Sequence, residues 1–261
     1  EGQDLQHLKK GTSGAETTIL SFYAKVVGSA TDIVVEVFDN DNARHICKKF
    51  TLTTEFQRYY FTIPGDTTGS LDQDNAQSMT VSFCLHSGST YTGGTLATDW
   101  AANNNSNRFV GVDSIFASTS NEFYLAGVQW EVGSQATPFE HRPFGEELVS
   151  CQRYFYNAVS GNSKQFAVGT YYATSLITST LTFPTTMRAA PTITVGTGTN
   201  YYVAYGNGQG DGFDTWDNTP RGNENYIALD VTGDGTSGTA GDGCTLATNN
   251  ANAYIHCDAE L

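Results

Sequence analysis

Hydrophobic and polar residues alternate over short segments of this chain, and a period of two predicts β-strands rather than helices. In the segment TTILSFYAKVV, residues 17–27, Leu20 and Phe22 fall on one face while Ser21 and Tyr23 fall on the other. Segments rich in Gly, Asp and Asn separate the strands, as in antiparallel hairpins. Further alternating segments lie at 32–38, 44–50, 58–63, 79–86, 109–112 and 122–132. No segment has a convincing amphipathic helical pattern.

The same alternation resumes in the second half of the chain. Predicted strands lie at 151–156, 166–172, 176–183, 192–195, 201–205, 226–231 and 253–261. Between the halves stand Pro138 and Pro143, which lack a backbone donor and cannot lie inside a central strand. We therefore predict an all-β protein of two antiparallel β-sandwich or jelly-roll domains in tandem. Their expected bounds are 1–145 and 151–261, with a linker at 146–150.

Composition narrows the class of protein. The chain has 261 residues with 27 Gly, 14 Tyr and 15 Phe, which suits turn-rich β domains. Its net charge is −14 and it has no Lys/Arg-rich run, so we expect no binding to nucleic acid. No run of 18 apolar residues exists, so we expect no membrane insertion. The five cysteines form no C-x-x-C pair, which indicates buried free thiols rather than disulfides or structural zinc.

The segment VQWEVGSQATPFEHRPFGEELVSCQRYFY, residues 128–156, resembles a segment of bacteriophage tail-fibre and related adhesion proteins. In those proteins it ends a carbohydrate-binding-like jelly-roll module and opens a C-terminal module. The runs EGQDLQHLKKGT, LSFYAKV and IPGDTTGSLDQDNA resemble the same first module. In the second half, FPTTMRAAPTITV and the final DAEL resemble fibre C-terminal domains and, more loosely, H-type lectins.

This resemblance implies a virion protein, a tail fibre or similar appendage, that attaches to polysaccharide on the host surface. An alternative is a virion assembly or capsid-decoration protein without a receptor-binding role, and a third possibility is a polysaccharide depolymerase. Fibres and H-type lectins are commonly trimers, and other virion proteins would be partners. Consecutive aromatic residues at 154–156, 171–172 and 201–202 also place rings on both faces of a sheet, which favours a homotrimer.

Aromatic residues in predicted loops are candidates for binding sugars, because a ring covers an apolar sugar face while amides or carboxylates orient the hydroxyls. The alternative is that each ring packs under its own loop. The candidates are Tyr91 and Trp100 beside Asn103, and Phe213 and Trp216 beside Asp214 and Asp217.

Two acidic segments are candidates for a structural calcium ion. Asp39 and Asp41, and likewise Asp72 and Asp74, place hard oxygen ligands two residues apart. Both segments lack the glycine and glutamate spacing of an EF-hand. Turn chemistry explains them equally well, since Asp and Asn favour hairpin turns.

We predict that the chain is not an enzyme. The pairs Asp72/Asp74 and Asp211/Asp214 have the residue types for glycoside hydrolysis, but they lie in polar segments without a surrounding apolar pocket. The sequence contains no G-x-S-x-G elbow, no H-E-x-x-H helix and no phosphate-binding glycine loop.

Overall fold

The computed structural model describes residues 1–217 and 221–260. These residues form an all-β protein, in which every pair of neighbouring strands is antiparallel. The chain divides into two compact units, Glu1–His141 and Arg142–Leu261. Residues 218–220, between the predicted strands 201–205 and 226–231, and the last residue of the final DAEL lie outside the described residues.

The N-terminal unit, Glu1–His141, contains two sheets. Their strand orders are β4-β1-β7 and β5-β2-β3-β6. The elements are β1 (Thr18–Val27), β2 (Asp32–Asp39), β3 (Arg44–Thr51), β4 (Gln57–Ile63), β5 (Met79–Cys84), helical turn α1 (Ser89–Thr92), β6 (Ala101–Ala102) and β7 (Glu122–Val132).

Alternate residues of the two sheets form one core in this unit. The Phe22 ring of β1 lies 5.2 Å from the Phe50 ring of β3 and 5.0 Å from the Phe83 ring of β5, in edge-to-face geometry. Leu20 and Val35 are fully buried in the same cluster. The two sheets are therefore layered as in a sandwich, with the alternation predicted for β1.

The face of β2 and β3 that points away from this core is also buried. Val34 and Glu36 have no exposed area, and neither does His45 of β3. The long segment after β5 covers them: the Cys47 amide donates to the Ala97 carbonyl at 2.7 Å. A segment without long strands is thus ordered by the sheet beneath it.

The C-terminal unit, Arg142–Leu261, also contains two sheets among its described residues. Their strand orders are β13-β12-β16-β9-β10-β15-β14 and β11-β17-β8. The elements are helix α2 (Phe144–Gln152), β8 (Phe155–Ser160), β9 (Gln165–Ala173), β10 (Leu176–Thr182), β11 (Thr192–Val195), β12 (Tyr202–Gly206), β13 (Gln209–Phe213), β14 (Arg221–Gly222), β15 (Tyr226–Thr232), β16 (Gly243–Thr248) and β17 (Tyr254–Asp258).

An aromatic cluster joins the two sheets of the C-terminal unit. Tyr202 of β12 stacks on Phe213 of β13 with ring centroids 5.6 Å apart, and Trp216 lies edge-on to Phe213 at 4.9 Å. The Tyr202 hydroxyl lies 2.9 Å from the Gly196 carbonyl and 2.7 Å from the Tyr254 carbonyl, and its one hydrogen can be donated to either. The hydroxyl of this buried ring thereby finds a hydrogen-bond acceptor in the backbone of the segments that form the smaller sheet.

The prediction of a strand beginning at Cys151 is wrong, because helix α2 runs to Gln152 and the first strand begins at Phe155. Glu146 and Glu147 lie in the first helical turn, where carboxylates interact favourably with the helix dipole. The predicted linker 146–150 lies within this helix, and the two units divide between residues 141 and 142.

Candidate functional site

The hairpin between β12 and β13 forms one wall of a groove on the C-terminal unit. Gly206 pairs with Gln209, which leaves Asn207 and Gly208 as a two-residue turn. Both turn residues have positive φ angles, 49° and 77°. Asn-Gly suits such a turn, because asparagine and glycine tolerate the left-handed conformation that closes a tight hairpin.

Tyr205 lies on the outer face of the seven-stranded sheet. It pairs with Gly210 on one side and with Thr245 of β16 on the other, and Thr245 pairs with Val168 of β9. Residues opposite one another in a sheet share a face, so these side chains form one row. Tyr205 is 49% exposed and Val168 is 74% exposed, whereas the neighbouring Ala204 lies in the core.

Glycines give the groove its depth. It encloses about 580 Å³ and is lined by Val168, Tyr205, Gly206, Asn207, Gly208, Gln209, Gly210, Gly243, Cys244 and Thr245. The Tyr205 ring lies over Gly210, where a Cβ would come within 3.0 Å of Cε1. A Cβ on Gly243 would meet no atom within 4 Å, so this part of the groove is open.

The groove combines an aromatic face with neutral hydrogen-bonding groups. Asn207, Gln209 and Thr245 are polar residues of the lining, and Thr245 lies on the same face of the sheet as Tyr205. The thiol in this lining belongs to Cys244, which is 3% exposed and packs in the core. Burial raises the pKa of Cys244, so the thiol is a poor nucleophile. The lining suits binding of a neutral polyhydroxylated ligand better than acid–base or nucleophilic chemistry.

Two of the predicted sugar-binding aromatics are core residues instead. Phe213 has no exposed area and Trp216 is 2% exposed, so neither ring offers a face to a ligand. Asp214 accepts a hydrogen bond from the Asn200 amide at 2.7 Å, and Asp217 accepts one from the Thr232 hydroxyl at 2.8 Å. The polar sequence around these rings suggested a loop, but β13 carries Phe213 into the core.

In the N-terminal unit the predicted aromatics pack against their own surroundings. The Trp100 indole donates to the Pro64 carbonyl at 2.8 Å, and the Lys10 ammonium lies 5.3 Å from its ring. The Tyr91 ring lies 6.1 Å from that of Phe109. The exposed Asn103 donates its backbone amide to Ala43 at 2.8 Å. These contacts agree with the alternative that each of the two rings packs under its own loop.

The ammonium of Lys10 takes the position beside Asp39 that the calcium hypothesis assigns to a metal ion. Asp39 is fully buried and paired with Lys10. Lys10 Nζ also lies 3.1 Å from an Asp66 oxygen and donates to the carbonyls of Thr68 and Gly69 at 3.0 Å. A buried cation therefore already balances this group of oxygens.

The other three calcium candidates are exposed and shape turns. Asp41 accepts a hydrogen bond from the Asp72 amide at 3.0 Å, and Asp74 accepts one from the Ala76 amide at 2.8 Å. Asp72 accepts from the Asp74 amide at 3.4 Å. Among the described residues, none of the four predicted acids belongs to a group of three or more His, Cys, Asp and Glu side chains close enough to share an ion. Their geometry agrees with the alternative that these acidic residues form turns.

A different group does bring metal-ligating atoms together, inside the N-terminal unit. Ligand atoms of Glu36, His45 and Cys47 lie within 4.8 Å of one another, and all three residues are buried. Arg108 donates to both carboxylate oxygens of Glu36 at 2.8 and 2.6 Å. Burial raises the pKa of Cys47, and the Glu36 charge raises it further. The cation of Arg108 and the protonated thiol make this group an interior ion pair rather than a preformed metal site.

The chain matches no family model, no curated protein and no solved structure. Among the described residues, no helix has the length and apolar character needed to cross a membrane.

The groove residues Asn207 and Gln209 are not among the sequence candidates. The sequence feature that could have identified this hairpin is the Asn-Gly dipeptide after a predicted strand, which is typical of a two-residue hairpin turn. The pairing of β12 with β13 and β16 places these residues in one groove with Tyr205.

Proposed function

We propose that this chain is a non-enzymatic glycan-binding adhesion protein of a bacteriophage virion, a tail fibre or a similar appendage. The observation that carries the binding role is the open groove of the C-terminal unit. There, the half-exposed Tyr205 lines the groove together with the polar residues Asn207, Gln209 and Thr245. The sequence resemblance at residues 128–156 supports the virion location and attachment to host surface polysaccharide.

In this proposal the Tyr205 ring covers the apolar face of one sugar. The ring has few rotatable bonds, so it offers contact area at a small entropic cost. The Thr245 hydroxyl, on the same face as Tyr205, and the polar groups of the hairpin supply donors and acceptors for the sugar hydroxyls. The open space above Gly243 admits the ligand close to the backbone of β16.

A virion assembly or decoration role is the second candidate, and helix α2 favours it. Phe144, Leu148 and Val149 are 80%, 41% and 51% exposed, and the described helix buries none of its residues. Such an apolar surface suits packing against other copies or other virion proteins. We propose a homotrimer whose assembly uses this helix; adhesion and assembly then lie on different parts of the C-terminal unit.

A glycan-array measurement with the whole chain tests the adhesion role. Gly243→Trp fills the groove without a clash at Cβ, and Tyr205→Ala removes the ring face. Each variant is expected to weaken binding to neutral glycans by at least about tenfold. Tyr172→Ala is the matched control, because this ring is 74% exposed and does not line the groove.

Two results would reject this assignment. If the wild-type chain binds no glycan on arrays prepared from envelope material, the assembly role replaces the adhesion role. If it binds but Gly243→Trp and Tyr205→Ala bind equally well, the groove is not the binding site.

A further inference from the structure

One face of the N-terminal unit alternates aromatic rings with cations. On β1, Tyr23 and Lys25 point away from the core that contains Phe22 and Ala24. Arg58 of β4 pairs directly with Tyr23. Tyr124 of the neighbouring strand β7 pairs with Lys25 and therefore lies on the same outer face. The aromatic–cation face consists of Tyr23, Lys25, Phe56, Arg58, Tyr60 and Tyr124.

Each cation lies between two rings. Lys25 Nζ is 5.2 Å from the centre of the Phe56 ring and 4.7 Å from that of Tyr124. Arg58 Cζ is 5.7 Å from the Tyr23 ring and 5.5 Å from the Tyr60 ring. These distances fit cation–π contacts, which fix the cations among ring faces. The four rings remain between 36% and 48% exposed, so ligands can reach them.

Neither cation forms an ion pair with a carboxylate among the described residues, although Arg58 lies near enough to Glu131 for their charges to interact. Lys9, Lys10, Arg44, Lys49, Arg108 and Arg221 each form an ion pair with Asp or Glu. Lys25 and Arg58 form none, although the chain has 27 acids for its 13 Lys and Arg residues. Arg58 Nη2 donates to Ser21 at 2.9 Å, while its buried Nε has no partner. Two cations without an ion-pair partner can bind an anion, and Lys25 should contribute more than Arg58, because Glu131 partly offsets the charge of Arg58.

We propose that the aromatic–cation face binds an acidic polysaccharide with a carboxylate on every second or third sugar. The rings cover apolar sugar faces, while Lys25 and Arg58 bind the carboxylates between them. Two cations can neutralise only a sparsely charged polymer. A densely charged polyanion would in addition be repelled by the net charge of −14. The charge pattern therefore favours such a polysaccharide over nucleic acid. The proposal is independent of the groove beside Tyr205.

Calorimetric titration of the full chain with a hyaluronan hexasaccharide tests the proposal, since this probe has one carboxylate per disaccharide. The carboxyl-reduced hexasaccharide is the neutral control ligand. Wild type is expected to bind the acidic form, and more weakly at high salt, because the contact lies at the surface. Lys25→Gln and Arg58→Gln should each weaken binding by at least about tenfold. Lys25→Arg should restore most of it.

Lys164→Gln controls for the loss of one positive charge elsewhere, because Lys164 is exposed on the C-terminal unit. Thermal unfolding of each variant checks the fold. If Arg58→Gln is unstable, Lys25→Gln alone tests the proposal. The Lys25 side chain makes no hydrogen bond among the described residues, so this variant is expected to fold. Gly243→Trp should leave this binding unchanged, which separates the proposal from the groove.

Several outcomes would overturn the proposal. The first is that wild type does not bind the acidic hexasaccharide, or binds the neutral form equally well. The second is that Lys25→Gln binds as wild type does. A third is tighter binding to oligothymidylate or to polyglycerol phosphate, which would assign the face to a phosphate polymer. The last is self-association in light scattering that Lys25→Gln abolishes, which would assign the face to a second copy of this chain.

Discussion

Arg108 donates from Nε and Nη2 to the two carboxylate oxygens of Glu36, at 2.8 and 2.6 Å. The Glu36 side chain has no exposed area, and that of Arg108 is 22% exposed. His45 Nδ1 lies 3.0 Å from the same carboxylate. The pair attaches the segment after β5 to the outer face of β2 and β3. We therefore expect this buried charge pair to contribute to the stability of the N-terminal unit.

Glu36→Gln is expected to destabilise the N-terminal unit by about 3 kcal/mol, because it leaves the guanidinium of Arg108 without its counter-charge. Urea unfolding followed by circular dichroism measures the change. Glu55→Gln, at an exposed position, is the control and should shift the midpoint little. Equal midpoints for the two variants would show that the ion pair contributes nothing to stability.

The N-terminal unit should lose stability in acid. Burial acts to raise the pKa of Glu36, but hydrogen bonds from His45 and Arg108 outweigh it and lower the pKa from its ordinary 4.5. In Asp66, burial is likewise outweighed by hydrogen bonds from Arg44, the Thr68 amide and Lys10, which lower the pKa from 3.8.

A carboxyl group with a lowered folded-state pKa stabilises the fold above its unfolded pKa and loses this effect as pH falls through the folded value. The thermal unfolding transition of the N-terminal unit is the one that Glu36→Gln shifts. Its melting temperature should therefore fall as pH decreases below about 5. The acid-dependent slope should be shallower in Glu36→Gln. A melting temperature that rises toward acid pH in wild type would contradict this prediction.

Phe213→Ala should destabilise the C-terminal unit by about 3–5 kcal/mol, because it removes a fully buried ring between Tyr202 and Trp216. Tyr205→Ala, on the opposite face of the same hairpin, should cost far less. Denaturant unfolding followed by near-ultraviolet circular dichroism compares the two variants. Similar losses from both would mean that the ring of Phe213 is not a core element.

The proposed homotrimer predicts a mass of about 84 kDa in light scattering, three times the chain mass of 28.1 kDa. Phe144→Asp with Leu148→Asp should produce monomers, because it places charges on the exposed apolar surface of α2. Phe116→Asp, at a residue that is 79% exposed in the N-terminal unit, is the control. A wild-type monomer at micromolar concentration would reject the trimer.

Envelope polysaccharide incubated with the chain should release no reducing sugar. Asp211 accepts hydrogen bonds from the Tyr171 hydroxyl at 2.6 Å and the Ser237 amide at 3.0 Å. Asp214 likewise accepts one from Asn200, so both acids serve to position backbone and side chains. Sugar release that disappears in Asp211→Asn or Asp214→Asn would show that the chain is an enzyme after all.

The local pattern of the sequence determined the strands well where one face is buried. In β1, apolar residues at every second position bury Leu20 and Phe22, and the predicted and observed strands nearly coincide. The turn at residues 39–43 joins β2 to β3 as predicted, since Asp and Asn favour the tight turn of a hairpin. Strand periodicity and turn chemistry are local properties, so the sequence alone predicts an all-β chain.

Only the tertiary structure decided which polar and aromatic residues are buried. Trp216 lies in a polar segment but packs on Phe213, and Asp39 ends β2 beside a hairpin turn but pairs with Lys10 across 29 positions. The groove beside Tyr205 likewise requires strands from distant parts of the chain to become neighbours. Such burial depends on which strands pair and which segments cover them. The free energy of these long-range contacts is not encoded in any single stretch of the sequence.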